Sequence, residues 1–517
     1  MLATHLLSSI LATPLLGAGL LLLAGRGRPG AIRAVALASA LVSLVLVVPF
    51  WMRYDPAGPP FQMREQVLLV RSLGSGYDVG ADGLTLLFVL SIGLVSLLAV
   101  VISWARIGDR QRSHYVRLLV LQAATTGVVV ALDALLFAVC WLVMLVAAGA
   151  LVPAERIGRW RIASGAIASL VMLLTASVLV SLEARGVTGS ATLDLTRLQQ
   201  VSLPAAQQSG PFLILLTGAA VPWLLLLGRP PGPSDPGRAR VAAVVTYGVL
   251  VFLPIYALVR FNLAILPQAS RTFVPLLAGV ALAMIWLAAI QALRARGWTG
   301  VVSCAAAGQA GLTLLGLAVI DPAALAGSLI HPMGVGLAVA PLLAWMAVPE
   351  RAGDPGPPPT RGMSVAAPLL LAVLGIPGPW GSAGSSAILR GAWHSHPLWA
   401  LAAGGGLIML AAAIARQTWR ATRRAGVAAP SVGGGLGEAQ LTGLLAFVLI
   451  TGAIGLAPGP IRERLQPTMA RVITRLDPGY APAFSHVPGC GSAGPAPAAP
   501  AGFTAIAPCD TAPSPPK

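Results

Sequence analysis

Charge is missing from this chain in the long stretches where a water-soluble protein would need it. Apolar runs lie at 4–24, 31–51, 83–104, 115–132, 133–152, 162–182, 211–228, 241–264, 272–293, 300–320, 325–348, 363–392, 398–415 and 440–459. Most approach the roughly 20 residues that carry a helix across a bilayer. Nearly every arginine falls between runs, and the single lysine is the last residue, Lys517. In hydrocarbon the backbone must satisfy its own polar groups, which leaves helices or closed barrels. A barrel needs alternating segments of about ten residues, and none is present. The expected fold is therefore all-α, a polytopic membrane protein of about 14 transmembrane helices. The run 363–392 is too long for one span and is interrupted between Gly375 and Gly384, so either a broken helix or a helix plus a re-entrant piece is expected there. The start lacks the basic n-region of a cleavable signal peptide, and its first apolar run is expected to stay as a span.

The arginines imply an orientation. With the N-terminus placed outside, the loops that fall inside hold 21 Arg against 6 acidic residues. The remainder holds 12 Arg and Lys517 against 11 acidic residues. This is a positive-inside asymmetry, and it accounts for the net charge of +17 without any nucleic-acid partner. The expected location is a bacterial inner membrane, multi-pass, with both termini extracytoplasmic. Residues 1–460 then form the transmembrane domain. Residues 461–517 form an extracytoplasmic tail, Pro/Ala/Gly-rich from Gly489 onward, in which Cys490 and Cys509 either join in a disulfide or stay unpaired. Segment 52–82 reads as an external loop, and 192–200 as a short amphipathic helix. There is no nucleotide loop, zinc spacing, iron–sulfur cysteine array or haem motif, so no redox chemistry and no metal site is expected within the chain.

Four stretches, in order, resemble the antiporter-like membrane subunits of respiratory complex I, nearest to its M subunit and the wider Mrp-type antiporter superfamily. GADGLTLLFVL (80–90) is similar to the family's loop motif before the third helix, with Gly80, Asp82 and Gly83 at its fixed positions. ALDALLFAVCWLVMLVAAGALV (131–152) resembles the fifth helix, YALVRFNLAILPQAS (256–270) the end of the eighth, and LLAVLGIPGPWGSAGSSAILRGAW (370–393) the twelfth. The resemblance implies inverted repeats with broken helices, including a broken seventh helix. It also implies other membrane subunits and lipids as partners. NADH, FMN, iron–sulfur clusters and quinone would belong to partner subunits, leaving no cofactor in this chain.

The departures are as informative as the matches. The resemblance implies a line of ionisable residues at mid-membrane, and this sequence places Leu142 where the family's fifth-helix glutamate stands. Val221 and Phe252 take the positions of the seventh- and eighth-helix lysines. Val335 replaces a histidine of the eleventh helix, and Ser385 the charged residue of the twelfth. Proton transfer across about 30 Å of hydrocarbon needs groups that bind and release protons, and none of these five titrates. Polar remnants stand nearby. His331, one helical turn before Val335, is either a displaced proton carrier or a histidine capping or packing at a helix with Pro332 beside it. Gln309 reads as an interhelical hydrogen-bonding residue, and Asp133 as a helix cap or a remnant of conduction.

Three functions follow. The first is a non-conducting structural subunit in the membrane arm of a complex I-like NADH-quinone oxidoreductase, with no active site of its own. The second is an active proton-translocating M-type subunit with a path rewired through His331, Gln309 and Ser385. The third is an antiporter-like subunit of another complex, such as a cation/proton antiporter, a membrane hydrogenase or an inorganic-carbon uptake system.

Overall fold

A computed structural model describes residues 5–23, 28–70, 73–107, 110–152, 159–226, 236–295, 297–345, 360–375, 383–425, 445–453 and 459–477. Helix follows helix. The first spans are α1 (Leu6–Leu23), then α2 (Pro29–Val45) continued by α3 (Val47–Arg53). Pro49 lacks the N–H that would bond the Val45 carbonyl, which explains the interruption at Leu46. A two-stranded antiparallel hairpin follows, β1 (Gln62–Val70) and β2 (Ser75–Ala81), with Val67 opposite Tyr77 and Leu68 opposite Gly76. Segment 52–82, expected as an external loop, thus contains a small sheet; β1 carries no alternation of apolar and polar residues that would mark a strand.

Next come α4 (Gly83–Arg106), α5 (Gln111–Val130), α6 (Ala134–Leu151), α7 (Arg159–Thr188), the single turn α8 (Leu195–Leu198) and α9 (Ala205–Leu226). The expected amphipathic helix at 192–200 shrinks to that one turn, capped by Asp194. The second half contains α10 (Pro236–Gly248), α11 (Leu253–Ala257), α12 (Pro267–Thr272), α13 (Val274–Arg294), α14 (Trp298–Ala318) and α15 (Pro322–Trp345). It continues with α16 (Thr360–Leu374), α17 (Ala383–Ser395) and α18 (Pro397–Ala425), then a helical stretch at 445–453 and α19 (Gly459–Leu476).

Eleven of these segments are long and apolar enough to cross a membrane. Helix α5, the α16/α17 pair and the stretch at 445–453 fall on the other three of the fourteen apolar runs. Helices α1, α7 and α18 turn apolar side chains outward, with Leu23, Ile167 and Leu398 all more than half exposed. Such faces suit a lipid surround. The eighth span (238–263), α14 and α15 are enclosed by the others. The protein is a multi-pass membrane protein.

The seventh run departs from expectation. Helix α9 is unbroken although it contains Pro211 and Pro222. The interrupted span is the eighth: α10 gives way to a 3-10 turn at Leu250–Phe252, then α11, then a π-helical turn at Leu258–Leu263. Pro254 explains the first break, because it offers no N–H to the Leu250 carbonyl. The Trp223 indole N–H of α9 donates to the Val251 carbonyl at 2.8 Å, occupying an acceptor at the break. The twelfth span is broken as expected, into α16 and α17.

The hairpin, α8 and α19 gather on one face of the bundle. Four aspartates cap helices: Asp82 accepts from Thr85 N, Asp133 from Leu136 N, Asp194 from Thr196 N and Asp321 from Ala324 N, each at 2.8–2.9 Å. Glu65 of β1 accepts from the backbone N–H groups of Leu7 and Ser8, closing the start of α1. Each acid satisfies donors that a helix start leaves without partners.

Part of the segment beyond residue 460 is helical and packed. Helix α19 buries Ile461, Leu465, Met469, Val472, Ile473 and Leu476, a stripe at helical spacing, against α4, α12 and α15. The packed structure therefore runs to Leu476. Cys490 and Cys509 lie outside the described residues.

Candidate functional site: a neutral bundle centre beneath a charged clasp

The five positions aligned with the family's proton path sit inside the bundle. Val335 and Ser385 are fully buried, Phe252 is 1% exposed and Val221 8%; Leu142 is half-buried against the core. Phe252 lies in the 3-10 turn of the eighth span, where Gly336 of α15 meets the Gly248 backbone. A Cβ at Gly336 would stand 2.2 Å from the Gly248 carbonyl oxygen and 3.8 Å from the Phe252 ring. Helices approach this closely only where one side lacks a side chain.

Between α6 and α9 the structure holds a neutral hydrogen-bond chain. Pro222 cannot donate to the Gly218 carbonyl one turn back. The Ser169 hydroxyl of α7 donates to that carbonyl at 2.6 Å, and the Trp141 indole N–H of α6 donates to Ser169 Oγ at 2.9 Å. Trp141 is the immediate neighbour of Leu142, and Gly218 lies one turn before Val221. The positions of the expected Glu–Lys pair are thus flanked by groups that do not change charge.

A second polar chain joins the tenth, eleventh and twelfth spans. His331 Nε2 and Gln309 Oε1 are 2.9 Å apart, and Gln309 Nε2 donates to the Val373 carbonyl at 2.8 Å. Ser385, at the start of α17, donates to the Gly375 carbonyl at 2.8 Å. His331 is 1% exposed, and among the described residues its Nδ1 has no hydrogen-bond partner. The structure brings His331 and Gln309 into direct contact, with Ser385 across the break of the twelfth span. His331 stands mid-helix, so it caps nothing. Asp133 is the N-cap of α6 and its carboxyl is pushed up, by burial first.

On the hairpin face the loop motif becomes a charged clasp. Asp82 is fully buried and Arg260, in the π-helical turn, is 5% exposed. Arg260 Nη1 donates to Asp82 Oδ2 at 2.9 Å and Nη2 to Oδ1 at 3.2 Å. Arg260 also donates to Thr85 Oγ1 at 2.8 Å and to the Tyr256 hydroxyl, which itself donates to the Val129 carbonyl. Arg471 of α19 reaches Asp82 at 3.4 Å and the Pro60 carbonyl at 3.0 Å. Phe61 lies 5.0 Å from the Arg260 guanidinium and 4.9 Å from that of Arg471. Burial pushes the Asp82 carboxyl up, but Arg260 and Arg471 more than reverse it and hold it at about 2. Gly83, the next motif residue, is where α19 lands: a Cβ there would meet the Arg464 carbonyl oxygen at 1.9 Å. Gly80 sits in β2 against Leu132.

Sequence reasoning singled out Asp82 but not its partners. Arg260 was visible as the single charge in the run 241–264; Arg471 was hidden in a segment read as tail. Trp141 and Ser169 carry no signal beyond being polar groups in apolar runs. Among the described residues no three His, Cys, Asp or Glu side chains come together.

No protein-family model matches the chain. It is 27% identical over 338 residues to NAD(P)H-quinone oxidoreductase chain 4 3 of Picosynechococcus sp., an alignment covering 64% of this chain and 61% of that protein. It is 28% identical over 320 residues to a chain 4 2 protein of Thermosynechococcus vestitus, covering 60% and 59%. The matched region thus spans about three fifths of these curated relatives. Among solved structures, a chain of respiratory complex I from Thermus thermophilus superposes with a TM-score of 0.74 at 22% identity, over 91% of this chain and 99% of that one. A chain of the Mrp complex from Dietzia sp. gives 0.70 at 17% identity, over 93% and 98%. A chain of a membrane-bound sulfane sulfur reductase, an archaeal respiratory membrane complex, gives 0.70 at 18%, over 88% and 77%. The chain is thus a homologue of NAD(P)H-quinone oxidoreductase chain 4 proteins and has the fold common to these chains of complex I and the Mrp complex.

Proposed function

We propose that the chain is a membrane-arm subunit of a complex I-like quinone oxidoreductase that joins neighbouring membrane subunits and passes no protons itself. The observation that carries this reading is the neutral chain Trp141–Ser169–Gly218 beside Leu142 and Val221. Conduction at this point needs a group that gains and loses a proton with a manageable free-energy cost. The Ser169 hydroxyl proton is engaged by a carbonyl, and an indole N–H does not titrate near neutrality. NADH, flavin, iron–sulfur clusters and quinone then sit on partner subunits. The arginine asymmetry orients the hairpin face outward, with both termini on that side of a bacterial inner membrane. Deleting the chain is expected to lower the yield of assembled membrane arm in native gels of detergent extracts. An arm that assembles in normal amounts without the chain contradicts the reading.

One observation favours a second reading. His331 and Gln309 are hydrogen-bonded across α15 and α14, with Ser385 across the break of the twelfth span. An imidazole with an open Nδ1 in that position is a group a rewired proton path would use. Under this reading His331→Ala lowers proton translocation by the assembly while leaving its composition intact. The likeness to the Mrp and sulfane sulfur reductase chains supports a third host, another multi-subunit membrane complex. Co-purification of quinone-reducing partners separates it from the first.

A further inference from the structure

On the face opposite the hairpin, the starts of α2 and α5 open onto a cavity of about 990 Å³ lined by Arg33, Arg110, Arg112 and Arg117 together with Pro29, Ser113 and apolar side chains. Among the described residues that line it, none is acidic. Two helix N-termini converge there, and neither N-cap residue, Arg28 or Arg110, gives a side-chain hydrogen bond to the first turn. Orphan N–H groups and the positive end of a helix dipole attract anions. Arg33 packs over the Trp104 ring at 5.8 Å, and among the described residues its buried Nε has no hydrogen-bond partner. Arg112 donates to the Leu22 carbonyl, which draws the end of α1 to the cavity rim. Just beside the rim the outward surface of α1 is apolar, with Leu20, Leu22 and Leu23 58%, 57% and 86% exposed.

We propose that this cavity binds the headgroup of an anionic phospholipid, its phosphate held by Arg33, Arg110, Arg112 and the open helix starts and its acyl chains lying along the outer face of α1. Two features favour a lipid over a soluble anion. The cationic cavity opens beside an apolar, outward-turned helix face, and it lies at the depth where span ends meet the headgroup layer. Basic pockets between membrane helices select such headgroups because phosphate neutralises arginines that are only partly hydrated.

The test is native mass spectrometry of the purified full-length chain, titrated with phosphatidylglycerol in competition with phosphatidylcholine. The wild type is expected to retain phosphatidylglycerol, and the Arg33→Gln/Arg112→Gln variant to lose at least roughly tenfold in that preference. The exposed single variant Arg110→Gln, which leaves the packed residues in place, is expected to lose a few-fold and covers the case in which the double variant fails to fold. Equal preference in the wild type and either folded variant overturns the proposal. So does complete displacement of the lipid by inorganic phosphate at equal concentration, which would assign the cavity to a free anion.

Discussion

Arg260 and Asp82, 178 residues apart in sequence, form a two-pronged ion pair buried where the eighth span ends and the third begins. The pair closes the hairpin face of the bundle. A buried pair of this kind is costly to break by halves, because one charge then stays desolvated without its partner.

Asp82→Asn leaves both Arg260 and Arg471 without a counter-charge. The expected loss is about 3–5 kcal/mol of stability, read as a lower thermal midpoint of the chain in detergent. A second change, Arg260→Gln, in the Asp82→Asn background is expected to return part of that loss. Additive losses in the double variant would show that the two residues do not act as a pair.

The same pair sets an acid limit. The Asp82 carboxyl sits at about 2 in the folded chain against an ordinary 3.8. A depressed carboxyl contributes stability that is complete above the unfolded value and disappears as pH falls through the folded one. Thermal midpoints are therefore expected to be insensitive to this group from pH 7 down to about 4, then to drop toward pH 2. In Asp82→Asn that component of the drop is absent; an unchanged acid profile in the variant contradicts the assignment.

Ser169→Ala removes the donor to Gly218 and the acceptor of the Trp141 indole together. Two buried polar groups left unsatisfied cost about 1–3 kcal/mol each. The variant is expected to be less stable and to shift Trp141 fluorescence, with proton translocation by the assembly unchanged. A change in translocation at unchanged stability would give Ser169 a part in conduction.

Gly83→Val places a side chain where the backbone of α19 lies. Helix α19 is expected to lift from α4, exposing the 459–477 segment to protease in the folded, detergent-solubilised chain. Protection equal to the wild type would mean that α19 is held from elsewhere, for instance through Arg471.

Restoring the family's ionisable pair tests whether the centre has relaxed around its loss. Leu142→Glu alone puts a carboxylate into an apolar span at a cost of about 2.5–3.5 kcal/mol. Adding Val221→Lys is expected to recover part of it if the two positions still face one another. No recovery in folded yield would show that the packing between α6 and α9 has moved them apart.

How far these features were legible in the sequence depends on their range. Apolar runs and capping aspartates are local, so the spans, the turn at Asp133 and the broken twelfth helix could be read directly. The break at Leu250 was signalled by Pro254 but obscured by unbroken hydropathy, whereas the break in the seventh span was expected from the resemblance alone, and α9 runs unbroken there. Helix α19 was missed because its stripe is amphipathic, and the charges on its other face lower its hydropathy. The Asp82–Arg260–Arg471 clasp joins three distant segments, and only the lone Arg260 within its run pointed toward it. The contact between His331 and Gln309 depends on how α14 and α15 pack, which periodicity alone does not fix.

The ratio of protons translocated to electrons transferred, measured on the parent assembly in proteoliposomes, bears most directly on whether this subunit conducts. With His331→Ala, Gln309→Leu and Ser385→Ala combined, a non-conducting subunit leaves the ratio at its wild-type value. A reproducible fall in that ratio, with the assembly intact, would show that protons cross the membrane through this chain.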